Sequence, residues 1–560
     1  MGFKAEDKTI GDLLVNAVYA IPRNQRKYVW KEDNWKDISS DIHYAINNKT
    51  NHFVGSIVLK VEKKEDGLSR YTIIDGQQRI MTITIMLLSI MYTLKKYGSK
   101  ENADGIEKNI KARNNRAESI SIIDSNAISS LSRLIDKICY LTCEEAKVTS
   151  VNMVSNQCIV DYTKDSAILE CFKYFVNVFE NMENNQLLLY LEKSLEMVYI
   201  HIEAKNDEDS YTIFETLNAR GEALEDHELL KNFIMRYIQP RKDVDAAKEV
   251  WKTMEMRLGD KFGLFIKHYT SHSFKTDDNS RKEPYKHIKN NIDINDVNKL
   301  LSDLEMKTKY YDRIINPSKK IDIPSGEVYY FSFFKSKRQE QFRPLLLSLM
   351  QQLDNENISE EIYLKVLNYL YVFFVCYIVI GKEKSNKIHD LVNKYAFSIA
   401  SYDGKKVEEI IKSLITDLNK KLPSRELFLS NFLNVGYSNH VNFYKEKSEK
   451  NRVKTVLQLI EQYYSNNYDF LEFTIEHMHP DNEGGDNVKI GNLIPLENEI
   501  NEKLKSKPLK DKVVFYRNSN FCFARKSWDS YDKYNGININ IRSKILGELV
   551  FDKILMMERM

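Results

Sequence analysis

LEFTIEHMHPDNEGGDNVKIGNLIPLENEINEKL, Leu471–Leu504, is the stretch on which the reading of the chain turns. LEFTIEH suits a strand ending at His477. DNEGGDN is a polar reversal, with Gly484 and Gly485 supplying the backbone freedom. VKIGNLIPL suits a second strand, and ENEINEKLKS a helix that carries Asn501. Only 11 histidines occur in the chain, and two of them, His477 and His479, lie beside Pro480. The stretch is either an ordinary hairpin running into a helix or a metal-dependent nuclease centre.

Strand, strand, helix is the order of a ββα-metal (His-Me finger, HNH-like) nuclease, and its chemistry needs these residue types. Water attacks a phosphodiester only when a base takes its proton, and neutral His477 can do so near pH 7. A divalent ion stabilises charge on the phosphate and leaving oxygen. Hard oxygen donors suit Mg²⁺ or Mn²⁺, and Glu476 and the side-chain carbonyl of Asn501 are the expected ligands. Asn492 could orient the imidazole or fix the hairpin. Taken singly, two loop histidines near a proline are unremarkable; the combination favours the nuclease.

Charge points the same way locally. From Lys503 to Lys526 the net charge is +7, from Lys503, Lys505, Lys507, Lys510, Lys512, Arg517, Arg525 and Lys526 against Asp511. Such a run is expected to hold DNA phosphates and to make binding salt-dependent; a solvated basic face is the plain alternative. The whole chain carries only +2, so any nucleic-acid surface must be local.

At 560 residues the chain is too long for one ordinary core. With 42% hydrophobic and 29% charged residues it is globular in composition. Six cysteines without CxxC spacing read as reduced thiols rather than a zinc site. The start, MGFKAEDKTIGDLLV, lacks a signal-peptide core. YLYVFFVCYIVI, Tyr369–Ile380, is too short to span a bilayer and reads as a buried helix. A cytoplasmic location without membrane association is therefore expected.

A second constellation lies near the N-terminus. IPRNQRKYVW (Ile21–Trp30) is followed by IIDGQQR (Ile73–Arg79), where a strand ends in Asp-Gly and a long apolar helix begins at once. That puts a positive helix end beside Gln77, Gln78 and Arg79, a suitable place for phosphate. Gly76 permits close approach; Arg26 and Arg79 offer fork-shaped donors; Asp75 could hold a metal or orient water. A strand–turn–helix corner with Asp75 as N-cap and Arg79 in an ion pair is the plain alternative. FETLNARGEAL (Phe214–Leu224) adds Asn218 and Arg220, with Gly221 as a helix C-cap.

The ordered set IPRNQRKYVW, IIDGQQR and IFETLNARG resembles the ParB/sulfiredoxin-like N-terminal domain of the GmrSD family of modification-dependent restriction enzymes, over roughly residues 8–240. The resemblance implies nucleotide binding and hydrolysis at Gln25, Arg26, Asp75, Gly76, Gln77, Gln78 and Arg79, with Asn218 and Arg220 contributing. The C-terminal stretch is similar to that family's nuclease domain: EHMHP supplies Glu476, His477 and Pro480, GNLIPL supplies Gly491 and Asn492, and EIN supplies Asn501. By this match His477 is the base, and His479 falls where the box is usually apolar. Ser506 departs from an Asn common in the family. SW at Ser527-Trp528 and INIRSKIL extend the similarity over about residues 430–560.

The expected fold is α+β and predominantly helical: an N-terminal ParB/sulfiredoxin-like α/β domain over 1–240, a helical middle over 241–430 and an HNH-like nuclease over 431–560. The expected function is NTP-dependent restriction of foreign, modified DNA in antiphage defence. Its catalytic residues would be His477 and Asn492, with Asp75 and Arg79 in the NTPase. Rivals are a toxin-like nuclease acting on host DNA or RNA, a DNA-binding sensor with an inert nuclease fold, and a nuclease whose DGQQR site contacts DNA instead of nucleotide. A homo-oligomer is compatible with all of these.

Overall fold

The structure is a computed structural model. It describes residues 3–22, 25, 27–124, 129–159, 162–206, 209–210, 213, 225–241, 245–318, 323–467, 472–504, 507–534 and 536–557. The chain is mostly helical with a mixed sheet, and divides into two compact units, Met1–Arg236 and Tyr237–Met560. The 241–430 and 431–560 segments both lie in the second.

The first unit is built on β1 (Phe3–Thr9), β2 (Ala17–Ala20), β3 (Phe53–Val61), β4 (Ser69–Asp75), the short ribbon β5 (Lys111–Arg113) and β6 (Ser119–Ser121), β7 (Ile123–Asp124) and β8 (Val198–Ala204). Six of these form one sheet in the order β1-β8-β3-β4-β2-β7. β1 and β8 are antiparallel, β3 and β8 parallel, and β3 and β4 antiparallel with a register shift between Val58 and Leu59. Helix α1 (Glu32–Asn48) follows the IPRNQRKYVW segment, and α2 (Gln77–Lys96) follows DGQQR. Nearly every side chain of α2 is buried. It is apolar all round because it runs through the core rather than along its surface.

The second unit begins with stacked helices. Glu360–Phe374 continues into a π-helical turn, Val375–Ile380. Together they are long and apolar enough to cross a membrane, but 67% of the most apolar window is buried within the fold. None of the six cysteines is in a disulfide.

The C-terminal part holds α3 (Lys447–Ser465), β9 (Thr474–His477), β10 (Leu493–Leu496), α4 (Asn498–Leu504), α5 (Leu509–Tyr516), α6 (Cys522–Tyr534) and α7 (Ile539–Glu548). β9 and β10 pair antiparallel with Leu493 opposite His477 and Leu496 opposite Thr474. The strand–strand–helix order is as read from the sequence, but the second strand is shorter. Residues 481–492 form three successive 3₁₀ turns, so VKIGN is loop and only LIPL is strand. Gly491, in the last of these turns, is closely packed: a Cβ there would lie 2.2 Å from Ile539 O and 2.7 Å from Ser543 N. Gly491→Ala is therefore expected to lower stability by about 1–3 kcal/mol or more, because backbone rather than a side-chain tip blocks the methyl. A thermal melt unchanged from wild type would contradict this packing.

Candidate active site

His477 ends β9 and is 9% exposed. Its Nε2 lies 2.7 Å from Tyr437 O. A carbonyl only accepts, so Nε2 carries the hydrogen, and in the neutral ring Nδ1 keeps the lone pair. Burial lowers the His477 pKa, against the Tyr437 carbonyl and the Asp481 carboxylate, which favour the charged form. The imidazole is thus held in one tautomer and biased towards its basic, neutral state.

The segment that supplies Tyr437 was not singled out from sequence. It lies 40 residues before His477 and is held by backbone bonds, Tyr437 N to Val488 O at 2.9 Å and Ile490 N to Val435 O at 2.8 Å. It also receives Asp481, whose Oδ2 accepts from Ser438 Oγ and Asn439 N, each at 2.9 Å. Burial works against ionising Asp481, yet His477 and these two donors hold its carboxyl below the ordinary value. Asp481 Oδ2 stands 3.9 Å from His477 Nε2. Asp481 is the nearby carboxylate of this centre, and nothing in a polar turn sequence marked it.

Asn492 is fully buried. Its Oδ1 accepts from His479 N at 2.8 Å, and its Nδ2 donates to His479 O at 2.7 Å and Asn487 O at 2.6 Å. It fixes the loop and does not touch the imidazole, so its catalytic reading gives way to the other one considered, a stay for the hairpin. His479 is engaged through its backbone by this same amide.

Glu476 and His477 are neighbours on a strand and face opposite sides. Glu476 is 3% exposed, with Oε1 2.9 Å from both Lys512 Nζ and Tyr516 OH. Burial raises its pKa, with Lys512 and Tyr516 opposing. Lys512 Nζ also donates to His477 O at 2.7 Å. Two expectations need correction here. Lys512 is 1% exposed and cannot meet DNA; Glu476 already has an ammonium where a cation ligand was expected. Asn501 donates to Thr474 Oγ1 at 2.8 Å and Ile475 O at 3.3 Å, at the far end of β9 from His477. Glu476 and Asn501 therefore do not fit as a ligand pair beside His477. Among the described residues no group of three or more His, Cys, Asp or Glu side chains is arranged to hold a metal ion.

Of the basic run, Lys503, Lys507, Lys510, Arg517 and Lys526 are exposed, while Arg525 is half-buried, with its guanidinium 2.9 Å from Cys522 Sγ. Lys505 and Ser506 lie outside the described residues. A further cation, Arg542 in INIRSKIL, anchors the floor. It donates to Gly491 O at 2.7 Å and Ser527 Oγ at 2.8 Å and lies 4.8 Å over the Phe523 ring. Burial lowers it to about 10.

At the N-terminal corner, Gly76 caps α2 with φ +93° and a Cβ there would meet Ile57 at 3.0 Å. The cap is thus Gly76 and not Asp75. Gln25 Nε2 donates to Ile74 O at 2.8 Å. Arg79 donates to Ser56 O and lies 3.9 Å from Asp75 Oδ2, both side chains partly exposed. Gly55, at φ +94°, leaves room for the guanidinium. Gln25, Asp75 and Arg79 are thus anchored around the end of β4. Gln77 and Gln78 are not open to a ligand, which corrects their assignment as nucleotide contacts. Gln77 is 4% exposed, facing Met81. Gln78 accepts from Val29 N at 2.9 Å and donates to Lys27 O at 3.0 Å, clamping the IPRNQRKYVW segment onto the helix. Tyr28 completes that clamp through Thr82 and Trp35. Arg26, Asn218 and Arg220 lie outside the described residues.

Two family models match the chain: GmrSD restriction endonuclease, N-terminal domain, over residues 7–235, and GmrSD restriction endonucleases, C-terminal domain, over residues 437–549. The molecule is thus of the restriction endonuclease class, a nuclease of defence with DNA as its partner. The chain belongs to the GmrSD family. No curated protein matches it.

Proposed function

We propose that the C-terminal part hydrolyses phosphodiester bonds of foreign DNA, with His477 as general base on a His-Me-finger-like ββα unit. The observation that carries this is the His477 ring itself. One nitrogen is fixed on Tyr437 O, the other is left as the proton acceptor, and burial favours the neutral form. Lys503 in α4, Lys507 in the link that follows and Lys510 in α5 supply exposed charge for the phosphate backbone. No step is routed through a divalent ion, because the expected ligands are otherwise engaged; Mg²⁺ and Mn²⁺ are variables of the assay.

The N-terminal part is proposed as the licensing element, a ParB/sulfiredoxin-like domain that binds and hydrolyses NTP at the Gln25–Asp75–Arg79 corner. What supports this is an arginine and a carboxylate at the start of a long helix, where phosphate oxygens find both a fork and a positive helix end. Arg79→Ala is expected to abolish NTP-dependent phosphate release while the protein stays folded. Release at the wild-type rate would leave the corner as a DNA contact or a structural joint.

The experiment for the whole reading is cleavage of modified and unmodified phage DNA, with and without NTP, in Mg²⁺ or Mn²⁺. Cutting confined to modified DNA with NTP supports licensed restriction. Cutting of any DNA or RNA without NTP favours a toxin-like nuclease, and binding without cutting a sensor.

A further inference from the structure

Asp481 faces two imidazoles, not one. Its Oδ2 lies 3.9 Å from His477 Nε2 and its Oδ1 3.7 Å from His440 Nε2. Exposure rises outward across the three, from 10% for the His477 side chain to 14% for Asp481 and 58% for His440. The turn that presents His440 is built for it. Ser438 Oγ donates to Asp481 and accepts from His440 N at 3.0 Å and Val441 N at 3.2 Å. Asn439 N holds the same carboxylate. Tyr437, one end of this turn, is the residue that orients His477. One short segment thus positions both rings, and one carboxylate spans them.

We propose that His440 is the second acid–base residue of the centre, protonating the leaving oxygen, with Asp481 the positioning residue that aligns both imidazoles. This rests on the nuclease reading of His477. In the step, the free nitrogen of His477 takes a proton from water as the water oxygen bonds to phosphorus. The bond from phosphorus to the leaving sugar oxygen breaks, and that oxygen takes a proton from His440. His440 enters the step protonated and His477 neutral; the centre ends with His477 protonated and His440 neutral, and both reset by exchange with solvent. An exposed ring suits this task, since it must reach the departing group.

The test compares two substrates in the full-length protein: DNA, whose alkoxide leaving group needs a proton, and bis(p-nitrophenyl) phosphate, whose phenolate leaves without one. His440→Ala should lose on the order of 10²-fold on DNA and less than about tenfold on the activated ester. His477→Ala should lose heavily on both. Asp481→Asn should lower kcat on DNA with little change in KM. Equal losses on the two substrates for His440→Ala, or none on DNA, would overturn the proposal while leaving His477 as base. Wild-type protein that cleaves neither substrate would overturn the nuclease reading, and this role with it. His440 is largely exposed, so its replacement should not disturb folding, and a thermal melt checks this.

Discussion

Lys512→Met is expected to destabilise the second unit by about 3–5 kcal/mol, because it strips the partner from a buried carboxylate. Lys512 and Glu476 are 1% and 3% exposed, 2.9 Å apart. The same ammonium holds His477 O at 2.7 Å, so its loss also loosens the end of β9. The carboxylate left behind keeps Tyr516 OH and the His477 backbone N–H as partners and escapes part of the cost by taking up a proton. Glu476→Gln removes the charge but keeps an acceptor for Tyr516. The double variant Glu476→Gln/Lys512→Met should therefore be more stable than Lys512→Met alone. Denaturant unfolding of the four proteins measures the coupling. Additive losses would show that the pair is not an ion pair in solution.

His477→Ala should cost on the order of 10²–10⁴-fold in cleavage rate, the range for removing a general base. The pH dependence follows from the direction of its shift. Burial holds the folded His477 below the ordinary imidazole value, so the base stays neutral to lower pH. The acid limb of the rate profile should then fall below the ordinary histidine pKa of about 6.5. Stability has the matching sign. The unfolded chain takes up the proton first, so this group's contribution is present above the unfolded value and is lost as pH falls through the folded one. An acid limb at or above the free imidazole value would mean that burial does not set the base.

Much of the fold could be read from the sequence because it is periodic. The apolar run after DGQQR, the β-branched stretches around it and the EHMHP to EIN order each announce one element. The site was less legible, for three physical reasons. Alternation along β9 sends Glu476 and His477 to opposite faces, which a motif read as a string hides. The lysine run looks like one surface by composition, yet helical periodicity along α5 turns Lys512 into the core and leaves Lys510 outside. Tyr437, His440 and Asp481 are brought together by the backbone bridge between Gly436 and Lys489 and by the bonds of Ser438 and Asn439 to Asp481, and no local pattern encodes that pairing. The glutamines of DGQQR read as ligand contacts because the family resemblance implies a nucleotide site there; here both are buried, and Gln78 ties Lys27 and Val29 to the helix.

His477 is proposed as the base of a DNA-cleaving centre. The most direct measurement is cleavage of phage DNA by wild-type and His477→Ala protein of equal thermal stability, side by side across Mg²⁺, Mn²⁺ and NTP. Cutting by the wild type is expected in at least one condition, with a loss on the order of 10²-fold or more in the variant. Equal cutting by both proteins, or DNA binding by both with cutting by neither, would contradict this role of His477.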